Sequence, residues 1–427
     1  MRVIKRRNEI SEEDIYALKF RAIWQYLKGE SFAFWMICGY LFFEYVRPQS
    51  IYPVIDFLPW TQITIIGAFL GCFTDKTVNW VSSTINKLLL IFFLVILVSS
   101  FFAYFPEISF RNLDKYYLWL VIYFLVISIV NTRKRLFIFL CIFLIASFKI
   151  SLSLSITWAM RGFSFTDWGL KGPPGFFENS GELAIQMLVF WPISWAFAYM
   201  IKPYISKRVF RVLLLMPISA IMVILGASSR GAQLALVIQI LFMNYKSVFK
   251  PKVLFSLAAS LIMIWSFLPE EQKARFEAMG EDRTSQQRLL YWENGIQMIQ
   301  DNPFLGVGYF NFSQYFEVYF SGDVLFQRAE LPHNILIQVG TDVGLIGLSV
   351  FLLILLSAFK VTKKINAARA CCYDHEHIAR CFNISLLGFL VAGQFVTVTY
   401  YPFLWIHLAL VVSLINSNRD CLGDFKR

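Results

Sequence analysis

Apolar residues in this chain come in long unbroken runs. Stretches near 31–46, 58–73, 86–104, 115–131, 136–158, 181–201, 209–226, 230–245, 253–268, 335–359, 381–399 and 402–417 are apolar almost throughout. A helix that is apolar on every face belongs in lipid or deep in a core. Spanning a bilayer takes roughly 20 such residues, with a range of about 17–25. The pattern predicts an all-α polytopic membrane protein of about 12 transmembrane helices.

Two stretches break the pattern. In residues 11–28, Tyr16, Phe20, Ile23, Trp24 and Leu27 fall on one helix face, and Ser11 can cap the start with Asp14 three residues on. This predicts an interfacial helix lying on the membrane. Residues 269–334 form a polar segment too long for a plain connection. There Thr284 or Ser285 can cap a helix running to about Gln300, with Leu289, Trp292, Ile296 and Ile299 as its apolar face and Asn302-Pro303 as its stop. Gly306-Val307-Gly308 then reads as a flexible turn, followed by a second aromatic helix over 311–320. The chain therefore divides into an amphipathic segment 1–30, helices one to nine over 31–268, a helical loop domain 269–334, helices ten to twelve over 335–417, and a tail 418–427.

Charge orients the bundle. With the N-terminus inside and strict alternation, most of the 39 Lys and Arg residues fall in inside loops, the Arg133-Lys134-Arg135 run among them. Cytoplasmic loops carry that excess, so both termini are expected in the cytoplasm, with the 269–334 segment on the outer face. That segment holds ten acidic and five basic residues, so the net charge of +11 forms no basic stripe for nucleic acid. Hydrophobic residues make up 57% of the chain and charged ones only 16%, a balance that excludes an ordinary soluble domain. The 7 cysteines form no CxxC pair.

Chemistry is concentrated at the outer end. His333 is the one histidine expected there, just before helix ten, where a neutral imidazole can act as a general base. Arg230 lies in the tight Ser228-Ser229-Arg230-Gly231 turn. Arg47, just after the first span, and Arg161 and Lys171, near a Gly172-Pro173-Pro174-Gly175 turn, can each meet a phosphate or simply snorkel. Lys149 lies within a span, where a cation needs a cavity or a partner, and Glu44 is a candidate partner. Glu178 and Glu182 can bind sugar hydroxyls or stay solvated. Gly340, Gly344 and Gly347 suit close helix packing.

His333-Asn334 followed by nine residues and Gly344-x-x-Gly347, with Arg288-x3-Trp292, Asn302-Pro303-x-x-Gly306-x-Gly308 and Ser229-Arg230-Gly231 upstream, resembles the O-antigen ligase/polymerase superfamily of bacterial envelope glycosyltransferases. The short motifs cover roughly 230–348 and the topology covers the whole chain. The resemblance implies a bacterial inner-membrane enzyme working at the periplasmic face. It implies transfer of a glycan from an undecaprenyl-diphosphate carrier to an acceptor sugar hydroxyl, on lipid A-core for a ligase or on a second lipid-linked glycan for a polymerase. It places the base at His333 and the diphosphate-holding arginines at Arg230 and Arg288; guanidinium forks match phosphate geometry. Asn334, Arg161, Lys171, Arg47, Lys149 and Glu178 are weaker substrate-binding candidates. No paired-Asp or Walker-type motif is present, so no cofactor and a metal-independent mechanism are expected. A transporter or flippase of lipid-linked glycans is the reading from another class; it predicts internal repeats, which the sequence lacks.

Overall fold

The computed structural model describes residues 10–164, 169–245, 250–252, 282–367 and 373–418, with isolated positions between 253 and 281. The described residues are helical with no strand. The helices used below are α1 Phe20–Lys28, α2 Phe32–Tyr45, α3 Trp60–Thr74, α4 Thr84–Phe101, α5 Asp114–Ile129, α6 Arg133–Met160, α7 Ser180–Ile201, α8 Leu215–Gly226, α9 Arg230–Met243, α10 Arg283–Asp301, α11 Phe312–Tyr319, α12 Ile335–Ala367, α13 Tyr373–Ala392 and α14 Pro402–Asn416.

A helix lies at every expected span except 253–268, most of which falls outside the described residues. Length and apolarity alone support fewer crossings than expected. Among the described residues, six helical stretches meet both criteria, and Trp60–Thr74, Arg230–Met243, His377–Ala392 and Pro402–Asn416 are apolar but shorter. This is the architecture of a polytopic membrane protein. The central helix is α7, whose spanning window is 89% buried. Its neighbours are α8, α13 and α9. Gln239 of α9 ties them together, accepting from Trp191 Nε1 at 2.6 Å and donating Nε2–H to the carbonyls of Leu188 and Ile384 at 2.9 and 2.8 Å. In a bundle without water, such side-chain bridges supply specificity that apolar contact cannot. At the α2–α3 contact, a Cβ on Gly71 would come within 2.7 Å of the Ala33 backbone, so the glycine sets how closely the helices approach.

One end of the bundle is closed by Arg135. Its side chain is fully buried; Nε and Nη2 donate to Glu30 at 3.0 and 2.8 Å, and Nη2 also to Asp75 at 3.1 Å and Ser31 at 3.2 Å. Nη1 reaches the Ile129 carbonyl at 2.9 Å. Arg135 thus binds the segment before α2, the end of α3 and the α5–α6 corner, a buried role that its place in a basic run did not indicate. Near this end the expected N-terminal helix is broken in two, Glu12–Tyr16 and α1, by Leu18 at φ 53°. Ser11 caps the first piece as expected, and Phe20 and Trp24 are 80% and 43% exposed, which suits an interface.

The opposite end carries the 282–334 segment. The 381–399 helix read from the sequence stops at Ala392, and residues 393–401 run without helix to α14. Gly393, the β-branched run Val396-Thr397-Val398-Thr399 and Pro402 account for the break, since each disfavours helix there.

Candidate active site

The loop helix α10 begins at Asp282, not at Thr284 or Ser285. The Asp282 carboxylate accepts Ser285 N–H at 2.9 Å and the Ser285 hydroxyl at 2.6 Å. The buried face also differs from expectation. Gln287, Tyr291, Asn294, Gly295 and Met298 point inward, while Leu289 and Ile296 are about half exposed. The reason lies in the irregular backbone of residues 321–330, whose polar groups need partners. Gln287 donates to the Asp323 carbonyl and accepts from Leu325 N–H, Asn294 donates to Asp323 Oδ2, and Tyr291 Oη accepts from Glu330 N–H at 2.8 Å. A small apolar cluster of its own, including Tyr291, Met298, Phe312 and Phe316, holds α10 against α11.

The glycine motifs meet each other. Gly344 has φ 65° and ψ −170°, which breaks α12 and brings it against the Phe304–Leu305 backbone, where a side chain would not fit. The break leaves the Thr341 carbonyl and the Leu345 N–H without helical partners. Val307 N–H takes the first at 2.8 Å, and the Pro303 carbonyl takes the second at 2.7 Å. Gly306, at φ 70°, packs against the backbone of Thr341 and Gly344, where a side chain would not fit. The expected flexible turn at 306–308 is therefore pinned into the break. Ser99 of α4 donates to both the Leu305 and Asp342 carbonyls, and Asp342 Oδ1 accepts Phe310 N–H at 3.1 Å. Gly344→Ala should lower stability by about 2–3 kcal/mol, because alanine meets both a forbidden backbone region and the Phe304 backbone. Gly322→Ala, with open space around its Cβ, should be near neutral; thermal melts in detergent compare the two.

This docking fixes the loop helix over the start of α12, where His333 lies. His333 is left-handed at φ 52°, a conformation that costs a non-glycine residue roughly 1–2 kcal/mol. It is held by contacts on either side: its N–H donates to Thr397 Oγ1 at 3.0 Å, and Trp292 Nε1 donates to the Pro332 carbonyl at 3.0 Å. The imidazole Nε2 is 2.9 Å from Glu330 Oε2. Glu330 is held below the usual carboxylate range, first by that hydrogen bond, with the Arg288 charge adding to it.

Arg230 opens α9 two residues after Ser228, which is left-handed at φ 56°. Its Nη2 reaches Asp282 at 3.3 Å and Ser285 Oγ at 3.5 Å. The Asp282 carboxyl lies below its ordinary range: burial opposes this, but hydrogen bonds from Ser285 and the Arg230 guanidinium outweigh it. Arg288, two helical turns into α10, has its pKa depressed by burial and then by the neighbouring Arg230 charge. Its Nε is buried with no hydrogen-bond partner among the described residues. Two guanidinium groups that repel each other, one with an unmet donor, define a place that favours an anion. Because Asp282 and Glu330 are both depressed, their pairs contribute stability above the unfolded carboxyl value of about 4 and lose it as pH falls further.

The structure thus links Arg230, Asp282, Arg288, Glu330 and His333 in one chain of polar and charged neighbours. The other candidates stand apart from this chain or play a different part. Asn334 adjoins His333, but its Oδ1 caps α12 by accepting from Leu336 and Ile337 N–H at 2.9 and 3.1 Å, and its Nδ2 donates to the Gln394 carbonyl. Arg47, left-handed at φ 51°, donates Nη1–H to the Pro174 carbonyl and so holds the Gly-Pro-Pro-Gly turn. Arg161, Lys171 and Glu178 are exposed on the loop after α6. Lys149 lies on the exposed flank of α6, because Ser147, Ile150 and Ser151 take the inward face; Glu44, its expected partner, feels the charge of Arg47 instead. Glu182 is buried and accepts the Tyr401 hydroxyl at 2.8 Å, fastening the 393–401 segment to α7. Sequence reading passed over Asp282, Glu330, Phe395 and Thr397. Only Asp282 left a local signal, an acidic residue three positions before Ser285. Phe395 occupies the space beside Gly231 and meets Trp292 at 6.2 Å between ring centres, which no spacing rule could reveal.

Residues 212–352 match the family model described as O-antigen ligase, and residues 14–180 match a family of unknown function, DUF5935. No curated protein matches the chain. The first match contains Arg230, Arg288, His333 and the Gly344 break, so this part of the chain is similar to the O-antigen ligase family, as the motifs at 230–348 implied. The helices of the described residues are those of a multi-pass membrane protein.

Proposed function

We propose that this protein transfers a glycan from an undecaprenyl-diphosphate carrier to an acceptor sugar hydroxyl, at the periplasmic face of a bacterial inner membrane. The observation that supports this reading is that His333 lies 2.9 Å from Glu330, which also feels the charge of Arg288, and that Arg288 and Arg230 repel each other. His333 takes the acceptor proton. The acceptor oxygen bonds to the anomeric carbon. The bond from that carbon to the diphosphate breaks, and its electron pair leaves on the diphosphate, where Arg288 and Arg230 meet the developing charge. The step runs on side-chain charge, without a metal in its account, and a single displacement gives inversion. The acceptor we assign is lipid A-core, which makes the protein an O-antigen ligase.

The test uses full-length protein in proteoliposomes, with lipid-linked glycan isolated from a strain lacking the protein as donor. Arg230→Ala and Arg288→Ala should each weaken use of that donor by roughly tenfold or more, the expected loss for a charged hydrogen bond to a diphosphate. Unchanged donor kinetics in both variants would remove the leaving-group assignment. In cells, loss of surface attachment with polymer length intact supports the ligase, and shortened polymer with attachment intact identifies a polymerase. Movement of intact lipid-linked glycan across the bilayer, with no new glycosidic bond, identifies a transporter.

A further inference from the structure

We infer that Glu330 is a positioning residue that fixes the tautomer of His333, so that Nδ1 alone receives the proton of the acceptor hydroxyl. This rests on the function proposed above and adds to it the direction in which the base works. Glu330 Oε2 lies 2.9 Å from His333 Nε2. An ionised carboxylate only accepts, so the single proton of a neutral imidazole sits on Nε2 and the lone pair sits on Nδ1. Nδ1 is buried and has no hydrogen-bond partner among the described residues. The donor it lacks is the acceptor hydroxyl. Shielding this nitrogen also keeps water from competing as the nucleophile, which would hydrolyse the donor.

Both partners are fixed at their roots. Glu330 N–H is bound to Tyr291 Oη of α10, while its side chain remains 73% exposed. His333 N–H is bound to Thr397 Oγ1, and Trp292 holds the preceding carbonyl. Of the elements around the pair, α10 brings the charged Arg288, with Arg230 of α9 and Asp282 next to it; residues 393–401 bring the neutral Thr397. Glu330 is therefore shared between the imidazole and the guanidinium of Arg288. Proton transfer to Nδ1 then makes an imidazolium whose Nε2–H already faces a carboxylate.

The experiment compares wild type, Glu330→Gln, Glu330→Asp and His333→Ala in the same proteoliposome assay. Because Glu330 is exposed, these substitutions leave the fold in place, which melting in detergent verifies. In Glu330→Gln the neutral amide can donate as well as accept, so it no longer fixes which ring nitrogen carries the proton, and 15N NMR of the His333 imidazole changes from the single Nε2–H tautomer of wild type to a mixture of the two. The variant's kcat falls by roughly tenfold or more, less than the loss for the base itself. KM for the donor changes little, and Glu330→Asp recovers part of the rate. A purely structural role would leave the tautomer unchanged. An unchanged tautomer, or a Glu330→Gln rate equal to or above wild type, overturns the assignment while His333→Ala inactivity keeps the proposed function intact. Activity in His333→Ala would remove both.

Discussion

His333→Ala should lower glycan transfer by roughly 10²–10⁴-fold, the contribution of a positioned general base. The protein should still insert and melt normally. The α12 cap belongs to Asn334, and the contacts that hold this corner are made by backbone atoms: the residue 333 N–H to Thr397 and the Pro332 carbonyl to Trp292. Alanine keeps both. It also keeps the cost of the left-handed backbone, so His333→Asn, which tolerates that conformation better, serves as a second variant. Both should be inactive. Asparagine should be the more stable, and donor binding should survive in both, because the guanidinium groups are untouched. Retained transfer in stably inserted His333→Ala would end the catalytic assignment.

The second large effect is expected at the opposite end. Arg135→Ala should cost about 3–5 kcal/mol, the range for removing one partner of a buried ion pair. Glu30 and Asp75 would be left with their charges facing a cavity, since Arg135 and Glu30 have no exposed side-chain surface and Asp75 only 5%. A substitution that removes a charge without stranding another should be milder. Arg135→Met together with Glu30→Gln and Asp75→Asn should therefore recover much of the loss. Thermal melts and protease sensitivity in detergent report both outcomes. Because this network lies at the end of the bundle away from His333, the surviving folded fraction of Arg135→Ala should transfer glycan at the normal rate per molecule. A single variant no less stable than wild type would show that the network contributes little.

The two ends differ in how much the sequence disclosed. Apolar runs are local: each reports the solvent around its own helix, so nearly all helix positions were legible, and α6 or α7 could be placed within a few residues. The motifs at Arg230, Arg288 and His333 were legible through resemblance, and the match over 212–352 agrees with it. Side-chain partnerships were not legible. Arg135 and the exposed Lys149 look alike in sequence, each a cation near or within an apolar run, yet one is buried among carboxylates and the other lies on a helix flank. Glu330 carries no motif, because its pairing with His333 depends on the path of an irregular loop.

What the sequence determined by itself is a helical membrane bundle with a polar helical segment before its last helices, because burying apolar length in lipid is a property each run possesses alone. Only the tertiary structure decided that Gly306 fills the break at Gly344, that residues 393–401 unwind to support His333, and that Asp282 and Glu330 stand beside the arginines and the imidazole. These are contacts between segments distant in the chain. They are selected by which backbone groups and charges remain unsatisfied once the helices have packed, and no local pattern encodes that remainder.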